Sequence, residues 1–357
     1  MQPAVSRSDT QPEKPTSAGG PAGAGTGAGT GAKTGAKTGA PRGSGSPSVV
    51  TPEEVDLTID VGPLKLANPI MTASGTAGLG LEMEPFFDLS VAGAIVVKTI
   101  TKVPRKGNPL PRLAETPSGL LNSIGLPNKG IDVFVEKTLP QLAGKARCLI
   151  VNIAGGCTGD FAELAGRLDG LHGIDALELN ISCPNVEGGN LPFGRDPIVV
   201  QKLVADVRAA TSLPIITKLS PNVTDVAAIA EAAKDGGSDA VSLINTVLGM
   251  SVDWRTGQPG LGTVVGGLSG PAIKPIALRM CWEVSKSVDI PIIGIGGITS
   301  VEDALEFLTV GASAVQVGTA HYKTPDVVPR IIDGMRDRLA EMGRRSVREQ
   351  VSSLAAS

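Results

Sequence analysis

Aromatic and histidine side chains are scarce in this chain. Among 357 residues there are six Phe, one Tyr, two Trp and two His. Proteins that bind nucleic acid commonly use exposed aromatics to stack bases and basic runs to follow the phosphates. The chain has no basic run and few aromatics, and the formal net charge is -3. We therefore expect no nucleic-acid partner, and catalysis has to rest on side chains other than histidine.

Cysteine is also rare, at four residues: Cys148, Cys157, Cys183 and Cys281. No two of them form a C-x-x-C pair, and none has metal-ligand spacing to a histidine, so we expect no metal or iron–sulfur site in the chain. No disulfide framework is implied, which favours the reducing cytoplasm. No apolar run reaches the length that spans a bilayer, so no membrane contact is expected.

The first fifty residues lack apolar periodicity. This segment, 1–50, is rich in Gly, Ala, Thr and Pro and includes "PAGAGTGAGTGAKTGAKTGA". Such a composition cannot bury enough apolar surface to offset the entropy of ordering, so we predict a disordered N-terminal tail. We predict one catalytic domain over 51–345 and a short C-terminal tail over 346–357.

Apolar runs recur along the rest of the chain, and helical segments separate them. A hairpin is predicted first, around the Val61-Gly62-Pro63 turn. Near-continuous Val, Ile and Leu runs are typical of parallel strands buried on both faces. The eight predicted strands are 69–74, 93–99, 148–154, 175–181, 214–220, 239–245, 291–297 and 313–319.

Helix boundaries support the same architecture. The segment 224–237 begins at a Thr-Asp cap and ends at glycines, and 299–312 carries an S/T-x-x-E/D capping pattern. Eight β/α units in a chain of this length predict an α/β fold, a (β/α)8 TIM barrel. A doubly wound open sheet is the alternative. It is disfavoured because no G-x-G-x-x-G opens the first βα turn.

Polar and small residues gather where the predicted strands end, which is where such barrels carry their active sites. Two lysines there, Lys98 and Lys218, suggest an anionic or electron-rich ligand, and a ring of Asn side chains suits a flat, amide-rich heterocycle. The glycines of 294–297 and 318, with 266–270 placed at the start of the helix before strand seven, predict a phosphate site.

Cys183 follows the fourth predicted strand, just before a proline and among polar residues. A lone Cys is most often a small buried hydrophobe. Neither histidine is predicted at these strand ends, so Cys183 is the candidate general base, and Cys157, near the same ends, is a second candidate. A neighbouring positive charge would favour its thiolate near neutral pH.

These motifs together resemble class 1 dihydroorotate dehydrogenase. The resemblance is carried by "LNISCPNV", "KLSPNVTD", "INTVLGM", "GGLSGPAIKPIALRM" and "IPIIGIGGITSVEDALEFLTVGASAVQVGTA". It runs in order from about residue 55 to about residue 333 and does not cover the N-terminal tail. It implies an FMN-binding (β/α)8 barrel that oxidises dihydroorotate to orotate in pyrimidine biosynthesis.

The resemblance also implies roles for individual residues. Cys183 would take a proton from C5 of dihydroorotate while a hydride leaves C6 for the flavin. The implied substrate-binding residues are Lys98, Asn122, Ser123, Ile124, Gly125, Leu126, Asn180, Asn185, Asn245 and Thr246. The implied cofactor-binding residues are Ala73, Ser74, Lys98, Thr99, Asn152, Asn180, Lys218, Asn245, Gly270, Gly296, Gly297, Gly318 and Thr319.

The subclass decides the electron acceptor. The segment 266–280 resembles class 1B, in which a partner subunit carries FAD and a [2Fe–2S] cluster and passes electrons to NAD+. The segment 121–130 leans toward class 1A, which uses fumarate. The resemblance also implies a homodimer. Three other functions are alternatives: an FMN barrel that acts on a different dihydropyrimidine, a non-redox phosphate-binding barrel such as an isomerase or aldolase, and a non-catalytic relative kept as a binding partner.

Overall fold

The computed structural model describes residues 49–182 and 193–355. The predicted N-terminal tail, apart from its last two residues, lies outside this part. From Val49 onward the chain forms one compact unit. Its strands are β1 (Ile59–Val61), β2 (Leu64–Leu66), β3 (Ile70–Thr72), β4 (Ile95–Ile100), β5 (Leu113–Thr116), β6 (Gly119–Asn122), β7 (Leu149–Ile153), β8 (Ala176–Asn180), β9 (Ile215–Lys218), β10 (Ala240–Leu243), β11 (Val247–Met250), β12 (Val252–Asp253), β13 (Gln258–Pro259), β14 (Val265–Ser269), β15 (Ile292–Ile295) and β16 (Ala314–Val317).

Helices lie between the strands along most of the chain. They are α1 (Gly130–Val133), continued by a π-helical turn (Phe134–Thr138) into α2 (Leu139–Leu142), then α3 (Thr158–Leu168), α4 (Pro197–Ala210), α5 (Val226–Asp235), α6 (Lys274–Ser287), α7 (Val301–Thr309) and α8 (Val327–Glu341). The two predicted caps are present. Asp225 accepts from Ala228 N, and Ser300 forms a capping box with Asp303.

Eight strands form a parallel barrel, which confirms the predicted fold class. The strand order is β3-β16-β15-β10-β9-β8-β7-β4, and each predicted apolar run supplies one strand. The ring closes between β3 and β4, where Met71 forms a bridge with Ala94 and Gly93 N donates to Ile70 O at 2.8 Å. Nearly all barrel-strand residues are buried, as expected for strands covered on both faces.

The crossovers differ from the prediction in two places. The connection from β3 to β4 holds two short 3-10 helices, Leu81–Met83 and Leu89–Val91, and no α-helix. The segment 266–270 was predicted to open a helix, which is wrong. Its first four residues belong to β14, and the helical stretch begins only at Pro271.

A second, antiparallel sheet stands beside the barrel, in the order β11-β14-β6-β5. Its strands come from the segments that follow β4 and β10. Residues of this sheet and residues at the carboxyl ends of the barrel strands line the same cavity. The small sheet therefore forms an outer wall over that end of the barrel.

The opposite end of the barrel is covered by the β1–β2 hairpin, which confirms the predicted hairpin. Its Gly62 has a φ of +58°, and a Cβ there would lie 3.0 Å from Asp239 O, next to the start of β10. The residues that follow 345 also contact the body of the protein. Val347 is buried and its N donates to Asp56 O, while Ser352 N donates to Leu308 O.

The closing seam generates a stability prediction. A Cβ added at Gly93 would lie 2.1 Å from the backbone oxygen of Asn68, which cannot rotate away. We expect Gly93→Ala to lower the free energy of unfolding by about 1–3 kcal/mol or more, as overpacked sites do. Urea unfolding followed by circular dichroism measures the change.

Gly159→Ala is the matched control for this prediction. Gly159 lies in α3, and an added Cβ would meet only Cys157 Sγ at 3.8 Å, an ordinary contact distance. We expect unchanged stability or a gain of up to about 1 kcal/mol, since Ala is the better helix former. Equal stability of the two variants would contradict the tight packing at the seam.

Candidate active site

A cavity of about 1100 Å³ opens at the carboxyl ends of the barrel strands. Its inner walls are the ends of the strands and the loops that follow them. Its outer wall includes Leu113, Leu248 and Val265 of the small sheet. This volume is at the upper end of the range for small-molecule and cofactor sites, and the lining is mixed apolar and polar, as such sites usually are.

The cavity gathers most of the residues that the sequence singles out. The predicted site residues that line it are Ala73, Ser74, Lys98, Thr99, Asn122, Ser123, Ile124, Gly125, Leu126, Asn180, Lys218, Asn245, Thr246, Gly270, Gly296, Gly297, Gly318 and Thr319. Asn152 is fully buried and does not reach the cavity. Cys183 and Asn185 lie outside the described residues, but Ser182, the residue directly before Cys183, lines the cavity.

Two asparagines, Asn180 at the end of β8 and Asn245 just after β10, form a hydrogen-bonded group across the end of β9. Asn245 Nδ2 donates to Asn180 Oδ1 at 3.3 Å and to the hydroxyl of Ser182. Asn180 Nδ2 points toward Thr99 Oγ1 at 3.4 Å, and Asn245 Oδ1 accepts from Thr246 N at 2.8 Å. These bonds hold both amides in place, which is how a site presents fixed donors and acceptors to a ligand.

The outer wall carries a second polar group. Asn122, on β6, donates through Nδ2 to Gly267 O of β14 at 3.1 Å. The hydroxyl of Ser123 accepts from Asn108 Nδ2 at 2.9 Å and from Thr263 Oγ1 at 2.6 Å. These bonds fix the side chains of Asn122 and Ser123 at the edge of the cavity, which residues 122–126 line.

Bare backbone lines the part of the cavity near β15 and β16. Gly296 and Gly297 have φ values of +134° and +74°, which side chains rarely adopt. A Cβ at Gly297 would lie 2.9 Å from Gly270 O. Thr319 lies at the start of a short helical turn and donates to Ser269 Oγ at 2.7 Å. Crowded glycines leave the backbone accessible, and backbone N–H groups in such a place suit a phosphate group.

Two cations face the cavity from β4 and β9, three strands apart around the barrel. Lys98 is half-buried, and burial lowers the pKa of its ammonium group below the usual value. The carboxylate of Glu82 opposes this pKa shift, and Arg112 adds to it. Lys218 is almost fully buried, and its Nζ lies 3.4 Å from Ser74 Oγ.

Sequence reasoning missed several residues at or near the site. Asn222 lines the cavity and donates to Thr246 O at 3.1 Å, and its position just after β9 could have revealed it. Glu178 lies beneath the cavity, buried on β8. A lone carboxylate inside an apolar strand is unusual, and this could have revealed it in the sequence. Leu113 and Leu248 carried no signal, since isolated apolar residues are common on surfaces.

Neither histidine, His172 nor His321, lines the cavity. His321 is buried behind Gly318, whose carbonyl is 3.0 Å from its Nδ1, and burial lowers the pKa of its imidazole. Within residues 49–182 and 193–355, no group of three or more His, Cys, Asp or Glu is arranged to hold a metal ion. The described lining therefore offers amides, hydroxyls and lysines as its polar groups, with Glu115 and Arg195 among the other charged residues.

Comparison with known proteins places the chain in a family. The family model for dihydroorotate dehydrogenase matches residues 56–339. The chain belongs to the dihydroorotate dehydrogenase family. This confirms the resemblance seen in the sequence motifs, and it makes the protein an oxidoreductase.

Individual relatives carry a more specific name. The chain is 52% identical to a protein of Pelobacter propionicus over 299 residues, which are 84% of this chain and 98% of the relative. It is 50% identical to a protein of Geobacter sp. strain M21, over 84% of this chain and 98% of the relative. It is 49% identical to a protein of Bacteroides thetaiotaomicron, over 84% of this chain and 99% of the relative. All three are named dihydroorotate dehydrogenase B (NAD(+)), catalytic subunit.

Within the part of the chain that the structure describes, no helix is both long enough and apolar enough to cross a bilayer.

The lowered pKa of Lys98 generates a prediction about anion binding. A bound carboxylate stabilises the ammonium form, so affinity should fall as pH rises through this pKa, which lies below the usual 10.5. We expect orotate affinity to fall up to about tenfold for each pH unit above the pKa. Calorimetric titration over a range of alkaline pH measures it.

Lys98→Arg is the control, because its guanidinium stays charged at every accessible pH. Titration of orotate itself affects both proteins alike, so the difference between the two slopes reports on Lys98. Parallel slopes would show that Lys98 does not interact with the bound anion.

Proposed function

We propose that this chain is the catalytic subunit of a dihydroorotate dehydrogenase that oxidises dihydroorotate to orotate in pyrimidine biosynthesis. The observation that carries the proposal is the amide-lined cavity, in which Asn122, Asn180 and Asn245 face the same space as Lys98. Amides match the imide edges of a pyrimidine ring, and an ammonium group matches its carboxylate. Membership of the family and the names of the relatives support this substrate.

The cavity fits FMN as the cofactor. Its volume of about 1100 Å³ has room for a flavin together with a small substrate. The crowded glycines, Gly270, Gly296 and Gly297, leave backbone amides where a phosphate would be held, and Lys218 with Ser74 would contact the ring. FMN, when bound, supplies the hydride acceptor that the oxidation requires.

The chain's own residues orient the substrate and take its proton. The amides of Asn180 and Asn245 are fixed by the hydrogen bond from Asn245 to Asn180 and by bonds to their other neighbours, so they hold a planar ring without reorganising. Cys183 is our candidate base for the proton at C5. Support for this role comes from the motif that contains Cys183 and from Ser182, its neighbour in the chain, which lines the cavity.

A partner subunit is proposed as the route for the electrons. The relatives are named NAD(+) enzymes and catalytic subunits, which supports NAD+ as acceptor and a second subunit. We propose that this second subunit holds FAD and a [2Fe–2S] cluster, as the resemblance to class 1B implies. We also propose that the catalytic chain forms a homodimer.

The described cysteines, Cys148, Cys157 and Cys281, are free thiols, which fits action in the reducing cytoplasm.

The substrate assignment is tested by the visible spectrum. The purified chain, loaded with FMN, should be yellow and should lose its flavin absorbance when dihydroorotate is added without oxygen. Dihydrouracil is the control ligand and should leave the colour unchanged. A protein that stays yellow with dihydroorotate, or bleaches equally with dihydrouracil, would contradict the proposed substrate. If fumarate alone reoxidises the reduced flavin, the acceptor is fumarate and not NAD+.

The role of Cys183 is tested by Cys183→Ser. A serine hydroxyl is a far weaker base than a thiolate, so flavin reduction by dihydroorotate at neutral pH should slow by about 10²-fold or more, the usual contribution of a general base. Stopped-flow absorbance measures the rate. Cys157→Ser is the matched control and should reduce at the native rate, since Cys157 does not line the cavity. Full activity of Cys183→Ser would refute the assignment.

A further inference from the structure

A buried carboxylate lies directly beneath the cavity. Glu178 on β8 has no exposed surface. Its Oε1 accepts from Ser242 Oγ at 2.8 Å and from Gln316 Nε2 at 2.6 Å. Its Oε2 accepts from Asn152 Nδ2 at 2.6 Å and lies 3.7 Å from Lys218 Nζ. Four barrel strands therefore direct a polar side chain toward this one carboxylate.

Lys218 is the member of this group that also lines the cavity. Glu178, Asn152, Ser242 and Gln316 are fully buried behind it and do not form part of the lining. The ammonium group of Lys218 thus has Glu178 on its inner side and Ser74, another lining residue, within 3.4 Å. The side-chain contacts that link Glu178 to a molecule in the cavity run through Lys218.

Burying this ion pair is costly, which argues that it has a role. Two charges removed from water repay their desolvation only with good geometry and full hydrogen bonding, and apolar residues of similar volume are often equally stable. The barrel strands supply such residues at most other buried positions, for example Leu177 and Leu179 on either side of Glu178. The pair stands where the ammonium group of Lys218 meets the cavity.

We propose that Glu178 is a positioning residue for Lys218. Its carboxylate fixes the ammonium group in the cavity floor and offsets part of that group's positive charge. The charge that faces the flavin is therefore smaller than that of an isolated lysine. In this way Glu178 limits how strongly the site favours reduced, more negatively charged flavin over oxidised flavin. The inference rests on the proposed function, because it takes FMN as the ligand of the cavity.

Glu178→Gln isolates the charge from the hydrogen bonds. Asn152 Oδ1 and Gln316 Oε1 have no partner in the structure. Whichever way the new amide is oriented, one of these two side chains can turn its amide to accept from the new NH2 group, as each carries donor and acceptor alike. The hydrogen-bonded network can therefore be satisfied again. Lys218, which has donors only, loses the negative charge beside it.

The expected result is a more positive midpoint potential of bound FMN in Glu178→Gln. Loss of a nearby negative charge favours the state with more negative charge on the flavin. We expect the preference for reduced over oxidised flavin to rise about tenfold, which is about 30 mV for a two-electron couple. A potentiometric titration of the FMN-loaded protein with a reference dye measures it, without any turnover.

Ser242→Ala is the matched control. It removes a hydrogen bond to the same buried carboxylate and leaves every charge in place. Its potential should stay near that of the native protein. A shift in Ser242→Ala as large as that in Glu178→Gln would mean that local disruption, and not charge, causes the effect, and would overturn the proposal.

Lys218→Met tests whether Glu178 acts through the lysine. In a Lys218→Met background, adding Glu178→Gln should produce less than half the shift seen in the native background. An undiminished shift would show that Glu178 acts on the flavin independently of Lys218. If Glu178→Gln does not fold, Glu178→Asp replaces it. Asp keeps the charge but withdraws it by one methylene, so a smaller positive shift is expected and an unchanged potential would overturn the proposal.

The outcomes separate this inference from the proposed function. A native protein that binds no FMN would refute the flavin enzyme itself. A native protein that binds FMN, with a Glu178→Gln variant of unchanged potential, would refute the role of Glu178 and leave the enzyme assignment intact.

Discussion

Parallel pairing of eight strands into a closed ring is the constraint on which the rest of the structure depends. Once β3 pairs with both β16 and β4, every barrel strand has the same direction, and all carboxyl ends meet at one opening. Closure at that seam needs a residue without a side chain, Gly93, because the backbone of Asn68 passes so close. Residues far apart in the sequence become neighbours around a single cavity for this reason.

The barrel interior is polar beneath the cavity and apolar elsewhere. The carboxylate of Glu178 is enclosed by Asn152, Ser242 and Gln316, so its charge is solvated by protein groups in place of water. Fixed dipoles of this kind need not reorganise when charge appears nearby. The network therefore gives Lys218 a defined position at the boundary between the packed interior and the ligand space.

The outer wall has a different origin. Two insertions, after β4 and β10, pair with each other to form the small antiparallel sheet. The pairing of β6 with β14 brings Asn122 opposite Gly267. A Cβ added at Gly267 would lie 2.0 Å from Thr246 Oγ1. Glycine at this place lets the sheet approach the strand ends closely enough to complete the amide-lined cavity. The cavity thus depends on contacts between the two sheets.

The amino-acid sequence by itself determined the barrel, the hairpin, two helix caps and a group of polar and small residues at the strand ends, most of which line the cavity. Burial on both faces imposes long apolar runs, and caps need particular side chains, so these features are visible locally. Only the tertiary structure decided that 266–269 lies on a strand, that Asn152 lies below the cavity, and that Glu178 meets Lys218. Those facts depend on strand register and on pairing between distant segments, and no local pattern encodes either of them.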